Sequence, residues 1–189
     1  VRLTLAGRYT SASQYYGDDT DEAKHFTPRV GVSFSLDKNM SIYAVYDQAF
    51  IPQSASGTIE NGGELKPITG NNTEFGIKKD WFNGRWNTTV SVYRILKNNE
   101  LTAGPSSTPT NPTSIVLGQK KAQGFEFDMR GNVTQDFSII ANYAYTDSKV
   151  NKVTPGVSGI TLGQVVPGFS KHVINGWANY KLPVKALKG

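Results

Sequence analysis

The 189-residue sequence predicts an all-β fold, an antiparallel meander of about eight strands. Three observations predict it. Apolar and polar residues alternate in runs of about 10 to 13, longer than the usual five or six of a globular strand and long enough for a tilted bilayer crossing. The connections between these runs are alternately long and short, so every short turn falls at one end of a meander. No stretch approaches the ~18 consecutive apolar residues of a spanning helix.

Val1–Ser11 sets Leu3, Leu5, Gly7 and Tyr9 against Arg2, Thr4, Arg8 and Thr10, and reads as the first strand. Gln14–Lys24 carries Tyr15, Tyr16 and the acidic group Asp18, Asp19, Asp21 and Glu22 with no apolar period, which predicts a long loop. His25–Leu36 places Val30, Val32, Phe34 and Leu36 on one face, and Asp37–Asn39 is a short turn. Met40–Phe50 is strongly β-prone, but both of its faces hold apolar residues and its orientation stays open. Ile51–Gly70, rich in Gly, Pro and Ser, is a second long loop.

Glu74–Arg94 is the clearest element. Phe75 and Ile77 precede Asn83-Gly84, and Trp86, Thr88, Val90 and Val92 follow it in alternation, which predicts a β-hairpin with a type I′ turn. Trp81, Phe82 and Trp86 crowd around that turn, where a membrane interface selects aromatic rings and a soluble hairpin tip is polar. Pro105, Pro109 and Pro112 predict an irregular Leu101–Ser114. Ile115–Asn132 reads as one strand with Phe125, Phe127 and Met129 on a face. A turn at Thr134–Asp136 leads to Phe137–Lys149, where Phe137, Ile139, Ala141, Tyr143 and Tyr145 share a face. Val150–Phe169 is the last long loop and Ser170–Leu182 the last strand.

Composition narrows the functional classes. Hydrophobic content of 38% and mean hydropathy of −0.39 look soluble, but a transmembrane strand shows lipid only alternate side chains, so its average stays low. There is no cysteine, hence no disulfide framework and no thiolate site. The net charge of +5 is scattered through strands and loops, which argues against nucleic-acid binding. Val1 opens directly into a strand, so the chain reads as an internal piece of a longer one.

Four segments, in this order, resemble the barrel of TonB-dependent ferric-siderophore receptors. They are Phe26-Thr-Pro-Arg-Val-Gly-Val-Ser-Phe, Ser41-Ile-Tyr-Ala-Val-Tyr-Asp-Gln-Ala-Phe-Ile-Pro-Gln, Leu65-Lys-Pro-Ile-Thr-Gly-Asn-Asn-Thr-Glu-Phe-Gly-Ile-Lys and Gln123-Gly-Phe-Glu-Phe-Asp. The resemblance spans nearly all of the chain. It implies a segment of a transmembrane β-barrel of about 22 strands with a plugged lumen, in the bacterial outer membrane. Residues 1–189 would then be a partial barrel without the plug domain or the barrel terminus. The function implied is uptake of ferric siderophores, energised through TonB by way of the plug region. The implied partners are the ferric siderophore, outer-membrane lipid and TonB. The alternative from another class is a soluble or surface-exposed all-β structural or adhesive module.

Nothing in the sequence points to an enzyme: His25 and His172 lie far apart and no nucleophile, Walker or dinucleotide pattern occurs. No protein cofactor or metal site is expected, because the siderophore itself ligates the iron. The acidic run Asp18–Glu22 has oxygen ligands for Ca²⁺ but not the spacing of an EF-hand, and reads as solvated loop. Arg2, Arg8, Arg29, Glu74, Lys78, Glu126, Asp128 and Arg130 occupy the polar phase of their strands and in a wide barrel would line the lumen. Tyr15, Tyr16, Phe50, Gln53 and Tyr145 sit near strand ends on the long-loop side, and are the candidates for contact with a bulky chelate. For Phe50 and Tyr145 the competing reading is a ring anchored in the membrane interface.

Overall fold

The structure is a computed structural model that describes residues 1–16, 19–53, 58–60 and 65–182, with the backbone alone at 14–16 and 19–21. Eight strands form one antiparallel sheet in nearest-neighbour order: β1 (Arg2–Tyr16), β2 (Asp19–Ser35), β3 (Met40–Ile51), β5 (Ile68–Trp81), β6 (Trp86–Asn98), β9 (Gly118–Asn132), β10 (Phe137–Val153) and β11 (His172–Tyr180). Three short strands, β4 (Thr58–Ile59), β7 (Leu101–Ala103) and β8 (Thr113–Val116), form a second small sheet in the order β4-β8-β7. Among the described residues there is no α-helix and no crossover in the large sheet.

The predicted short turns all lie at one end. Residues 36–39, 82–85 and 133–136 close the β2–β3, β5–β6 and β9–β10 hairpins, and a carbonyl of each turn accepts from the end of the next strand, Asn39 O from Asp80 N, Arg85 O from Asn132 N and Asp136 O from Lys181 N, at 2.8, 3.0 and 2.7 Å. Asn83 and Gly84 have φ of 57° and 83°, the signs that a type I′ turn requires, and Arg85 N donates to Phe82 O across it. Phe82 is also left-handed at φ 54°, an uncommon state for a bulky residue.

Direct partners in an antiparallel ladder share a face, so the register fixes which side chains stand together. One row crosses all eight strands as Leu3, Val32, Ala44, Phe75, Val92, Phe125, Tyr145 and His172. The next row of the same phase is Phe34, Ile42, Ile77, Val90, Phe127, Tyr143 and Ile174. The opposite phase reads Arg2, Ser33, Tyr43, Gly76, Ser91, Glu126, Ala144 and Val173. The orientation of β3, open in the sequence, is therefore settled: Ile42, Ala44 and Tyr46 belong to the apolar phase and Tyr43 and Val45 to the polar one.

Little of this apolar phase is covered. Phe34, Phe75 and Val92 are 46, 56 and 53% exposed, and the buried hydrophobic residues among those described are Ile115, Leu117, Val150 and Val166, all at the long-loop end. A soluble sandwich or barrel would pack the apolar phase into a core.

Four sequence expectations are corrected. Residues 14–16 and 19–24, expected in a loop, continue the β1–β2 ladder, paired as far as Tyr16 with Asp19. A ladder held by backbone bonds alone needs no apolar alternation, so the sequence shows no period there. The proline-rich Leu101–Ser114 includes β7 and the start of β8, because Pro105, Pro109 and Pro112 fall between the paired residues. Ile115–Asn132 is two elements: Gly118, at φ 127°, breaks β8 from β9. The last long loop starts later than expected, since β10 runs on to Val153 past a bulge between Val150 and Lys152.

Candidate functional site

The polar phase of the sheet presents a charged surface. Arg2, Arg29, Glu74 and Lys78 line a depression of about 700 Å³ together with Tyr43 and Asp47. At its centre the Tyr43 hydroxyl donates to Glu74 Oε1 at 2.5 Å, and Lys78 Nζ stands 4.9 Å from the centroid of the Tyr43 ring. Tyr43 lies flat over Gly76, its direct cross-strand partner, where no Cβ blocks it. Asp128 and Arg130 line an adjoining depression with Lys78. The register places Glu126 and Arg8 in this same phase, and Arg8 Nε donates to Thr10 Oγ1 at 3.2 Å nearer the long-loop end. All eight residues expected at a lumen thus share one face.

The long connections are knitted into a cap. Glu60 Oε1 accepts from Ser106 N at 2.9 Å and from Thr113 Oγ1 at 2.5 Å, which ties the end of β4 to the connection between β7 and β8, beside the parallel β4–β8 pair. Those bonds, the Thr113 hydroxyl first, hold the Glu60 carboxyl below its ordinary range. Gln53 Nε2 donates to the carbonyls of Lys66 and Asn99, and Asn99 Nδ2 returns a bond to Pro67 O at 3.0 Å. The third connection joins through Leu117, Val150 and Val166, packed with Val153 and Ile160. Glu100 binds Lys97 at 3.2 Å and Lys120 at 2.7 Å. Burial raises its carboxyl, but these ammonium groups outweigh that and hold it below the usual range.

The five ligand-contact candidates are not brought into one cluster. Phe50 stacks on His25 with ring centroids 5.3 Å apart, and His25 Nε2 lies 3.3 Å from Gln48 Oε1. The Gln53 amide is committed to backbone carbonyls. Tyr145 belongs to the apolar phase, between Phe125 at 5.9 Å and His172 at 5.2 Å, where an interfacial ring is expected. The side chains of Tyr15 and Tyr16 lie outside the described residues, as do Asp18 and the side chains of Asp19 and Asp21, so the Ca²⁺ reading falls there too; Glu22 pairs with Lys24 at 2.7 Å. Sequence reasoning missed Tyr43, Glu60 and Glu100. Gly76, a glycine inside a strand, was the available signal for the first, since it marks a close approach by a neighbour. The loop residues had none.

The TonB-dependent receptor-like β-barrel family model matches residues 1–188. The chain belongs to the TonB-dependent receptor family. It is 34% identical to the ferric-pyoverdine M114 receptor PbuA of Pseudomonas sp. strain M114 over 96% of its own length and 24% of that protein's. It is 30% identical to the ferrichrome outer membrane transporter/phage receptor of Escherichia coli K12, over 95% of itself and 24% of the relative. The ferripyoverdine receptor of Pseudomonas aeruginosa, solved bound to ferripyoverdine, superposes with a TM-score of 0.79 at 22% identity, over 96% of this chain and 24% of that one. The alcaligin outer-membrane receptor FauA of Bordetella pertussis gives 0.68 at 25% identity, over 96% and 31%. The chain therefore spans about a quarter of these receptors, and its two-faced sheet is part of an outer-membrane β-barrel wall.

Proposed function

We propose that this TonB-dependent receptor takes up ferric siderophores, with energy supplied through TonB, and that the chain provides wall and external loops of its barrel. One observation carries the reading: a sheet whose apolar phase lies exposed at Leu3, Val32, Phe75 and Val92, whose opposite phase carries Arg2, Arg29, Glu74 and Lys78, and whose long connections form a cap at one end. That is the division of labour of a barrel in lipid, with a polar lumen and ligand-receiving loops outside. The relatives named for pyoverdine and ferrichrome supply the ligand class. The apolar phase meets acyl chains, and Arg2, Arg8, Arg29, Glu74, Lys78, Glu126, Asp128 and Arg130 line the lumen where a plug is held. The siderophore is cargo and carries its own iron, so the chain acts as a receptor and transporter and not as an enzyme. A soluble adhesive module is disfavoured, because it would have to bury Phe34, Phe75 and Val92.

Ligand contact is assigned to the loop end, with Phe50 and Tyr16 as the leading rings and Tyr15 and Gln53 in supporting places, while Tyr145 takes the interfacial role that its place in the apolar phase gives it. Titrating the purified receptor with iron-loaded and iron-free siderophore tests this. Phe50→Ala should weaken binding by about 1–3 kcal/mol if its ring is a central contact. Unchanged affinity in both Phe50→Ala and Tyr16→Ala would remove these residues from the site. Binding of neither form by the unmodified receptor would remove the siderophore assignment.

A further inference from the structure

At the loop end the polar phase carries two lysines side by side. The row reads Ala49, Gly70, Lys97, Lys120 and Val150, with Lys97 and Lys120 as direct cross-strand partners, a placement that destabilises a sheet unless an anion joins the pair. Here the anion is internal. Glu100 Oε1 stands 3.2 Å from Lys97 Nζ and Glu100 Oε2 stands 2.7 Å from Lys120 Nζ, so one carboxylate spans both ammonium groups. Among the described residues it is the only acid within ion-pair distance of either lysine, and the trio keeps a net positive charge.

The place of the pair decides what else reaches it. Lys97 lies eleven positions beyond Trp86 on β6; at about 3.3 Å per residue and a tilt of about 40° it stands about 28 Å from the Trp81–Trp86 row, past the apolar band of about 25 Å. On the lumenal face this height is the mouth that an incoming chelate crosses. Ala49 and Gly70 continue the row with little or no side chain beside the pair. The side chains of Lys97, Lys120 and Glu100 are 41, 25 and 27% exposed, so an anion in solution has access to all three. The carboxylate itself shows that the spacing of the lysines accepts two oxygens of one anion. Glu100 is also a tie point of the cap: its carbonyl accepts from Leu117 N at 2.8 Å, and Asn99 before it, left-handed at φ 64°, bonds Pro67 O at 3.0 Å.

We propose that Lys97 and Lys120 receive anionic oxygens of the ferric chelate, and that Glu100 is the internal counter-ion this chelate displaces, so that capture loosens the tie between Glu100 and Leu117. The proposal rests on the siderophore reading and deepens it: the site takes chelates of net negative charge. Titrations of the full receptor with an iron-loaded tricatecholate and ferric citrate, both anionic, and with ferrichrome and ferrioxamine B, uncharged and cationic, test it. Hydrogen exchange at the Leu117 amide is the second readout. The unmodified receptor should bind an anionic chelate, and that chelate should speed exchange at Leu117. Lys97→Gln or Lys120→Gln should weaken its binding about tenfold, the effect of one charge-assisted bond at a part-exposed site, whereas Lys120→Arg should keep it. Glu100→Gln should strengthen binding, since the competing carboxylate is gone; a merely structural Glu100 would give the opposite sign. Lower or unchanged affinity in Glu100→Gln, unchanged affinity in both Lys→Gln variants, or unchanged Leu117 exchange with the chelate bound would overturn the proposal. Binding of the uncharged or cationic chelate alone would do the same. A receptor that binds no iron-loaded siderophore of any charge would instead overturn the siderophore reading, so the two failures are distinguishable.

Discussion

A single methyl group added at Gly76 should displace Tyr43 and unfasten the centre of the polar face. The new Cβ would stand 2.5 Å from Cε1 and Cζ of the Tyr43 ring and 2.6 Å from its hydroxyl oxygen, closer than real Cβ contacts come. The backbone at Gly76 is extended, so alanine is opposed there by the ring alone. If the ring moves away, its hydrogen bond to the Glu74 carboxylate is lost, about 1.5–3 kcal/mol for a bond to a charged group. Its contact with the Lys78 ammonium goes too, about 0.5–1 kcal/mol at an exposed site. If the ring stays, overpacking costs about 1–3 kcal/mol. Because this face is half-exposed, Gly76→Ala should destabilise the barrel by about 2 kcal/mol, the low end of those ranges. Urea unfolding of the receptor in lipid vesicles measures it. The decisive comparison is the same substitution in a Tyr43→Ala background, where the added methyl meets no ring and should cost nothing. Equal costs in both backgrounds, or a cost under about 0.5 kcal/mol in the unmodified receptor, would refute the reasoning.

Gly118→Ala should destabilise by more than about 1 kcal/mol in the same assay, because φ is 127° and a Cβ would lie 2.3 Å from Lys152 O; an unchanged urea midpoint would count against the break between β8 and β9. Glu60→Gln, which weakens the acceptor for Ser106 and Thr113, should speed hydrogen exchange at the Ser106 amide while leaving exchange in β5 and β6 unchanged. The clasp on Glu100 should depend on pH. Its carboxyl is depressed in the folded state, so the stabilisation is present above the ordinary value of about 4.3 and is lost as pH falls through the lowered one. Protection of the Leu117 amide, which donates to Glu100 O at 2.8 Å, should show this step after correction for intrinsic exchange, and Glu100→Gln should abolish the step.

Where the chain lies within the bilayer span, its sequence was enough to orient it. Within each strand the alternation sets Val30, Val32 and Phe34, Phe75 and Ile77, Val90 and Val92, Phe125 and Phe127, and Ile139, Ala141 and Tyr143 on a single face, and the register puts all twelve in one phase of the sheet. The reason is physical: a wall between lipid and a polar lumen imposes a strict period of two. Above the span that constraint ends. Residues 19–24 pair as a strand with no apolar period, and β4, with two residues, is too short to show any. The candidate contact residues were less legible still. Their selection used position near strand ends, but neither the stacking of Phe50 on His25 nor the use of the Gln53 amide as a loop tie has a local sequence signal, because both depend on segments joined only by the fold.

Leu117, Val150 and Val166 are driven together by water, whereas the apolar residues of the sheet are left for another medium to cover. One polypeptide therefore answers to two solvents, and its parts come undone by different agents. The loop cluster follows the rules of a small soluble core, with a loss of about 2–5 kcal/mol for a truncation such as Leu117→Ala. Removal of detergent attacks the wall and leaves the chemistry of that cluster untouched. Val150 belongs to both, a residue of β10 that is also a member of the loop cluster, so the two media meet on one strand.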